Sequence, residues 1–289
     1  MRIVVTGAYG QLGSEIKTLS TEYPGWDFLF TDVDSLDITN ENAVDQFIAD
    51  KNIDFVINCA AYTAVDKAES DRETARKVNA LAPEILAKVT QKYGARLIHV
   101  STDYVFAGDA CEPYTETDEV NPLGVYGQTK LDGENKIQAQ NPESIIIRTA
   151  WLYSVYGNNF VKTMLRIGRE RGELGVVFDQ VGSPTNAADL AAAILEIIRL
   201  SEKDSKGFVP GIYHFSNEGV ASWYDFAVAV FEIAGVKCKV NPVTSEQFPT
   251  PTKRPHYSVL NKSKIKNTFN IRIPYWRDSL QLCLQKMTE

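Results

Sequence analysis

Three side chains between Val100 and Lys130 are of types that can do chemistry together. Tyr126 carries a phenol and Lys130 an ammonium, four residues apart in YGQTK. Thr102 offers a hydroxyl at the end of an apolar run, in VSTDYVFAG. On a helix, residues four apart lie on one face, one above the other. The stretch YGQTKLDGENKIQAQ is expected to be that helix, with the ammonium under the phenol. A free tyrosine titrates near about 10. A neighbouring positive charge favours phenolate and lowers that value. A phenol tuned downward is a better proton donor near neutral pH. By itself a Y-x-x-x-K pair is usually a surface pair without chemistry, and a lone Thr at a strand end usually caps a turn. Here a strand ending in Ser-Thr-Asp precedes the pair, and a glycine-rich loop opens the chain.

Those side chains need elements to position them. Arg2 to Thr6 is short, apolar and rich in β-branched residues, as a buried strand is. GAYGQLG follows, with Gly7, Gly10 and Gly13, and a helical pattern starts at Gln11. Strand, glycine loop, helix is the context that lifts a glycine pattern above chance. Glycines allow a tight turn and close backbone approach, and the helix N-terminus offers free N–H groups to a pyrophosphate. DFLFTD, ending at Asp32, reads as the second strand. An acid there can bond ribose hydroxyls. The alternative is that Asp32 or Asp34 caps a turn. No Arg or Lys lies between Asp32 and Lys51, so no dedicated 2′-phosphate site is visible. Asp37 and Ile38 are placed to flank an adenine, ahead of a helix around Asn40 to Lys51.

Asp54 to Ala61 reads as a third strand, and the small residues at its end, Ala60 and Ala61, would let a cofactor approach the backbone. Arg72 to Tyr93 is a long helical pattern with Pro83 inside it, where a kink or break is expected. RLIHVSTD is the fourth strand and Ser144 to Trp151 the fifth. Strands alternating with helices argue a parallel, doubly wound α/β sheet, which binds ligands beyond the strands' carboxyl ends. Gly7, Asp32, Ala60, Thr102 and Trp151 all fall at such ends. After Trp151 the pattern changes to aromatic and helical segments. GIYHFSN looks like one more strand returning to the sheet, and SWYDFAVAVFEIAG like a helix whose Trp223, Phe226 and Phe231 are core rather than site. The expected division is a dinucleotide-binding domain over 1–150, rejoined by segments near 186–219, and a smaller α/β substrate domain over 151–185 and 220–289.

Composition excludes several classes. A chain of 289 residues with net charge −7 advertises neither nucleic acid nor an anionic membrane. No apolar run approaches the roughly 20 residues that span a bilayer, and Met1-Arg2 leads into IVVTG without signal-peptide architecture. Cys59, Cys111, Cys238 and Cys283 are scattered, as reduced thiols in a cytoplasmic protein would be. His99, His214 and His256 lack metal-ligand spacing, so no metal is expected.

Over its whole length the chain resembles the extended short-chain dehydrogenase/reductases, and among them the dTDP-4-dehydrorhamnose reductase family. The pair and glycine loop carry the wider likeness. GAYGQLG, AAYTAVDKAE, STDYVFAG, RTAWLYSVYGNNFV and DQVGSPT carry the narrower one. The resemblance implies a Rossmann fold and NADH or NADPH. It implies that Tyr126 protonates the sugar C4 oxygen, Lys130 binds the nicotinamide ribose and tunes Tyr126, and Thr102 steadies the substrate. Implied cofactor contacts are Gly10, Gln11, Leu12, Asp32, Asp37, Ile38, Ala61, Tyr62 and Thr63. Implied substrate contacts are Thr102, Asp103, Tyr104 and Trp151. The reaction would be reduction of dTDP-4-dehydro-L-rhamnose, the last step to a nucleotide sugar used in cell-surface polysaccharide.

Some members dimerise through a magnesium ion held by glutamates. Glu15 fits one such position, but NAADLA after Thr185 has alanine where the second glutamate is expected. That departure argues against a metal bridge and leaves monomer or homodimer open. The sequence leaves two other readings open. One is an epimerase or dehydratase of the same fold, which needs no net reductant. The other is a non-catalytic regulatory subunit, against which the intact Tyr126, Lys130 and Thr102 argue. A sugar nucleotide also brings a diphosphate, which a planar guanidinium binds bidentately. Arg254 in KRPHYS is the first candidate; Arg148 is the second, because inside the fifth strand it could instead pair with a buried acid.

Overall fold

The computed structural model describes residues 1–287. One six-stranded sheet organises it. Its strands are β1 (Arg2–Thr6), β2 (Asp27–Thr31), β3 (Phe55–Asn58), β4 (Arg96–Thr102), β5 (Ile145–Thr149) and β6 (Gly211–Phe215). Every neighbouring pair is parallel, and the order across the sheet is β6-β5-β4-β3-β1-β2. The chain leaves β1 for β2 on one side and then crosses to β3 on the other. Loops diverge at that switch and open a crevice at the carboxyl ends of β1 and β3.

Alternate strand residues point to opposite faces. Ile3, Val5, Phe55, Ile57, Ile98, Ile145 and Ile147 pack on one face against the helices Gln11–Leu19 and Ala187–Lys203. Val4, Val56, Leu97 and Ile146 pack on the other, against Glu41–Lys51, Ala82–Tyr93 and Val125–Gln140. Both faces are covered, so the strands read as continuous apolar runs. The predicted strands Asp54 to Ala61 and Ser144 to Trp151 are longer than those observed. Their last residues leave the ladder because they turn over the crevice.

The irregularity expected at Pro83 takes the form of a π turn, Lys77–Leu81, set between Arg72–Arg76 and Ala82–Tyr93, and the helix does not break. The wider turn gives the proline ring room without stopping the helix. It also turns Asn79 inward. Asn79 Oδ1 accepts from Tyr62 N (2.8 Å), and its Nδ2 donates to Tyr62 O (3.0 Å) and Thr129 Oγ1 (3.2 Å). The loop after β3 is thereby pinned to the helix that carries Tyr126.

A second core gathers Tyr153, Val161, Leu165, Phe226, Phe231, Trp276 and Leu280. The helices Phe160–Arg171, Trp223–Ala234 and Trp276–Lys286 supply it, over the parallel pair Glu173–Val177 and Lys239–Val243. Between these cores the chain crosses back and forth: β6 rejoins the sheet beside β5, and Ile265 and Phe269 pack into the first core.

Candidate active site

The floor of the crevice is backbone. Gly7 adopts φ 64°, and a Cβ there would lie 2.7 Å from Ala60 N. The loops after β1 and β3 approach too closely for any side chain. A Cβ on Gly13 would lie 2.4 Å from Gly7 O, so the helix starts directly on the loop. Gly10 is its N-cap and has no side chain to occupy the first-turn N–H groups, which stay available to an anion. A cavity of about 450 Å³ opens here, lined by Gly7, Gly10, Asp32, Asp37, Ile38, Ala60 and Ala61. None of its lining residues is Arg or Lys.

Asp32 serves the loop and the turn together. Its Oδ2 accepts from Tyr9 N (3.1 Å) and its Oδ1 from Val33 N (2.9 Å). Asp37 accepts from Thr39 Oγ1 (2.7 Å) and Thr39 N (2.9 Å). The Thr39 hydroxyl first, then its N–H, hold this carboxyl below the usual range. Ile38 is buried in the core beneath the cavity.

A second cavity of about 500 Å³ shares Gly10, Cys59 and Ala61 with the first. Gln11, Leu12 and Thr63 line it near that junction. Thr102, Asp103, Tyr104, Tyr126, Lys130 and Trp151 line the rest. Gly13 and Tyr62 line neither cavity. Gly13 acts through helix packing, and the Tyr62 phenol turns away to donate to Asp71 Oδ2 (3.1 Å).

Tyr126 and Lys130 share one helix, Val125–Gln140, but the expected tuning does not arise. Burial lifts the Tyr126 phenol well above its ordinary range; a hydrogen bond with Thr102 opposes this, while Asp103 and Tyr104 reinforce it. Lys130 does not lower it. Its ammonium points inward, donating to Val100 O (2.7 Å) and lying 3.2 Å from His99 Nε2. Burial pulls Lys130 down to about 8, against the opposing pull of Glu134 and Cys59. Tyr126 therefore stays protonated at neutral pH, which is the form that gives a proton.

Asp103 is also buried, and desolvation raises it to about 6 despite hydrogen bonds from Thr102 and Ser258. Glu134 takes Arg148, whose Nη2 donates at 2.7 Å, which removes Arg148 as a candidate for the diphosphate. Ser101 donates to the same carboxylate.

At the rim, Trp151 adopts φ 50° and stacks on Trp223, with centroids 3.6 Å apart and planes 9° from parallel. A Cβ on Gly182 would lie 2.7 Å from Trp151 Cε2, which explains the glycine in DQVGSPT. Trp223 packs against the second core, as expected from sequence, and also backs the rim, because the indole of Trp151 lies flat on it. Arg254 stands one residue behind the cavity wall. Its Nη2 donates to Asp66 Oδ2 (2.7 Å), and it sits against Tyr104, whose phenol burial nevertheless raises to about 12.

His99 and Asn58 were not singled out from sequence. The signal that could have found His99 is a polar residue inside the apolar run RLIHV, which marks an inward polar contact. Among the described residues, no group of three or more His, Cys, Asp or Glu is placed to hold a metal ion. Glu15 is buried and accepts from Ser154 Oγ at 2.6 Å.

Sheet order, glycine cradle and the Thr102–Tyr126–Lys130 group define an extended short-chain dehydrogenase/reductase. The family model described as RmlD substrate binding domain matches residues 1–289. The chain is 41% identical over 288 residues to a dTDP-4-dehydrorhamnose reductase of Aggregatibacter actinomycetemcomitans, covering 97% of each. Among solved structures it is similar to a dTDP-4-dehydrorhamnose reductase from Clostridium acetobutylicum, with TM-score 0.94, 46% identity and 100% of both chains covered. A Bacillus anthracis dTDP-4-dehydrorhamnose reductase in complex with NADP gives TM-score 0.93 and 40% identity, with 99% of both covered. The chain belongs to the dTDP-4-dehydrorhamnose reductase family.

Proposed function

We propose that the chain is an NAD(P)H-dependent oxidoreductase that reduces the C4 keto group of dTDP-4-dehydro-L-rhamnose to dTDP-L-rhamnose. One observation carries this reading in a member of this family. The glycine cradle and the Tyr126–Lys130–Thr102 group open into cavities that share Gly10, Cys59 and Ala61.

The cradle fits a dinucleotide. The glycines leave backbone N–H groups bare where a pyrophosphate would lie, Asp32 has acceptors for ribose hydroxyls, and Asp37 and Ile38 offer a polar and an apolar edge to an adenine. Gln11, Leu12, Ala60, Ala61, Thr63 and the backbone at Tyr62 would hold the rest, with Lys130 at the nicotinamide ribose. NADH or NADPH supplies the hydride when bound. Tyr126 holds the proton at Oη and gives it to the C4 oxygen. Thr102, hydrogen-bonded to Tyr126, orients that oxygen. Asp103, Tyr104 and Trp151 shape the sugar pocket, and Arg254 meets the diphosphate.

The region over 151–185 and 220–289 would act as the sugar-nucleotide lobe on a dinucleotide-binding domain of 1–150 and 186–219. Glu15, engaged with Ser154, supports a monomer or homodimer without a magnesium bridge. The four cysteines are unpaired, which supports a cytoplasmic setting.

The test is oxidation of NADH and of NADPH by the isolated chain with dTDP-4-dehydro-L-rhamnose, beside the UDP and GDP keto-sugars. Stoichiometric oxidation with the dTDP sugar is expected. Interconversion of sugars without net oxidation would instead make it an epimerase.

A further inference from the structure

A buried polar chain runs behind Lys130, and nothing in the reaction described so far uses it. Thr6 Oγ1 donates to Asn58 Oδ1 at 2.7 Å, and Ala60 N donates to the same oxygen at 3.2 Å. A backbone N–H can only donate, so Asn58 Oδ1 is fixed as the acceptor. Asn58 Nδ2 therefore faces His99 Nδ1, at 2.9 Å, and donates to it. A neutral imidazole that accepts at Nδ1 carries its proton on Nε2. His99 Nε2 lies 3.2 Å from Lys130 Nζ. An ammonium there would set N–H against N–H. A free amine would accept from Nε2–H with its lone pair and still donate to Val100 O.

We propose that His99 is a positioning residue for Lys130: Asn58 locks its proton on Nε2, and that N–H holds the amine form of the lysine, so that Lys130 can release a proton within the site and recover it. This rests on the reductase reading above. Tyr126 Oη–H breaks as the C4 oxygen gains its proton. An N–H of the Lys130 ammonium then breaks, and its proton passes within the cavity both residues line to the phenolate. The amine left behind accepts from His99, and solvent at the cavity mouth returns one proton to Nζ. One proton from solvent is consumed per hydride transferred.

The surroundings are consistent with such a titration near neutral pH. Lys130 faces His99 and Val100 O from β4, Cys59 from the loop after β3, and Glu134 from its own helix, and Tyr126 lines the same cavity. Glu134 is itself satisfied by Arg148 and Ser101. Burial, then the nearby lysine, keep His99 neutral.

Nitrogen NMR of the imidazoles in the unmodified protein tests the lock without any turnover. His99 is expected to stay neutral with its proton on Nε2 from about pH 6 to about pH 9. A proton on Nδ1, or a ring that charges in that range, overturns the proposal. Asn58→Ala frees the ring to turn its acceptor towards an ammonium and adds no charge. The basic limb of the kcat/KM profile should then move up by about one pH unit. Lower activity at every pH with the limb unmoved would make Asn58 and His99 merely structural. If the unmodified chain oxidises no NAD(P)H, the reductase reading fails, and the imidazole result still decides the tautomer.

Discussion

Between Gly7 and Ala61 the crevice is walled by backbone, glycines and short side chains. Its carboxylates are tied into local turns, and Thr39 holds Asp37 below the usual carboxylate range. Between Thr102 and Lys130 the same crevice is walled by buried groups whose charge is suppressed: Tyr126, Asp103 and Tyr104 are raised and Lys130 is lowered. The first region holds a polyanion, which needs pre-aimed N–H donors and room. The second must move a proton, which needs groups near the boundary between their two forms. Shape can be set by residues adjacent in sequence, whereas desolvation requires several elements to close over one point.

The sharpest way to break this contrast is Tyr126→Phe. If the two regions are separate devices, kcat falls by about 10²–10⁴-fold and the dissociation constant for NADH hardly moves. Stopped-flow turnover and a fluorescence titration of NADH measure the two. A cofactor affinity that fell in step with kcat would show that the regions work as one.

Asp103→Asn probes the same suppression through stability. Its pKa rises from an ordinary 3.8 to about 6 in the folded chain. A raised carboxyl is stabilising to the fold below the unfolded value and loses that contribution as pH rises through the folded one. The cost above about pH 6 is on the order of 3 kcal/mol. Asn cannot ionise, so the variant should melt higher than the parent at pH 8 and alike near pH 4. Equal melting differences at both pH values would show that Asp103 does not titrate as its burial implies.

The glycine loop, the strand order and the Tyr126–Lys130 pair were legible because each is a local pattern. The direction in which Tyr126 is tuned was not. Spacing placed a charge beside the phenol, but Lys130 turns to Val100 O and His99, and burial decides the sign. His99 was hidden because its partner Asn58 lies 41 positions away on the next strand. Pro83 announced a break that the π turn at Lys77–Leu81 absorbs, since packing against Tyr62 and Thr129 rewards a continuous helix.

Arg254→Ala tests whether the rim belongs with either region. Arg254 is held by Asp66, so its guanidinium is pre-placed and only partly exposed. Charge-assisted hydrogen bonds contribute about 1.5–3 kcal/mol. The KM for the dTDP keto-sugar should rise by about ten- to a hundredfold, while NADH affinity stays put. An unchanged KM would leave the diphosphate to another group, and Asp66–Arg254 would be a structural tie.

Trp223→Leu asks for the smallest effect. Trp151 is the only rim residue among Thr102, Asp103, Tyr104 and Trp151 with positive φ, and its indole lies flat on Trp223. Strain of that kind persists only where surroundings over-determine it. Gly182 closes one side, since even a Cβ there would reach the ring. Trp223 closes the other. Aromatic stacking contributes about 0.5–1.5 kcal/mol beyond area burial. Leucine keeps apolar contact and loses the stack, so Trp151 should sample other orientations. The expected result is a severalfold rise in sugar-nucleotide KM, with kcat nearly unchanged and NADH affinity untouched. Tryptophan fluorescence would report the loosened ring. A fall in kcat with no change in KM would mean that Trp151 orients the reacting carbon rather than the sugar as a whole, and the rim would then belong to the proton-moving region.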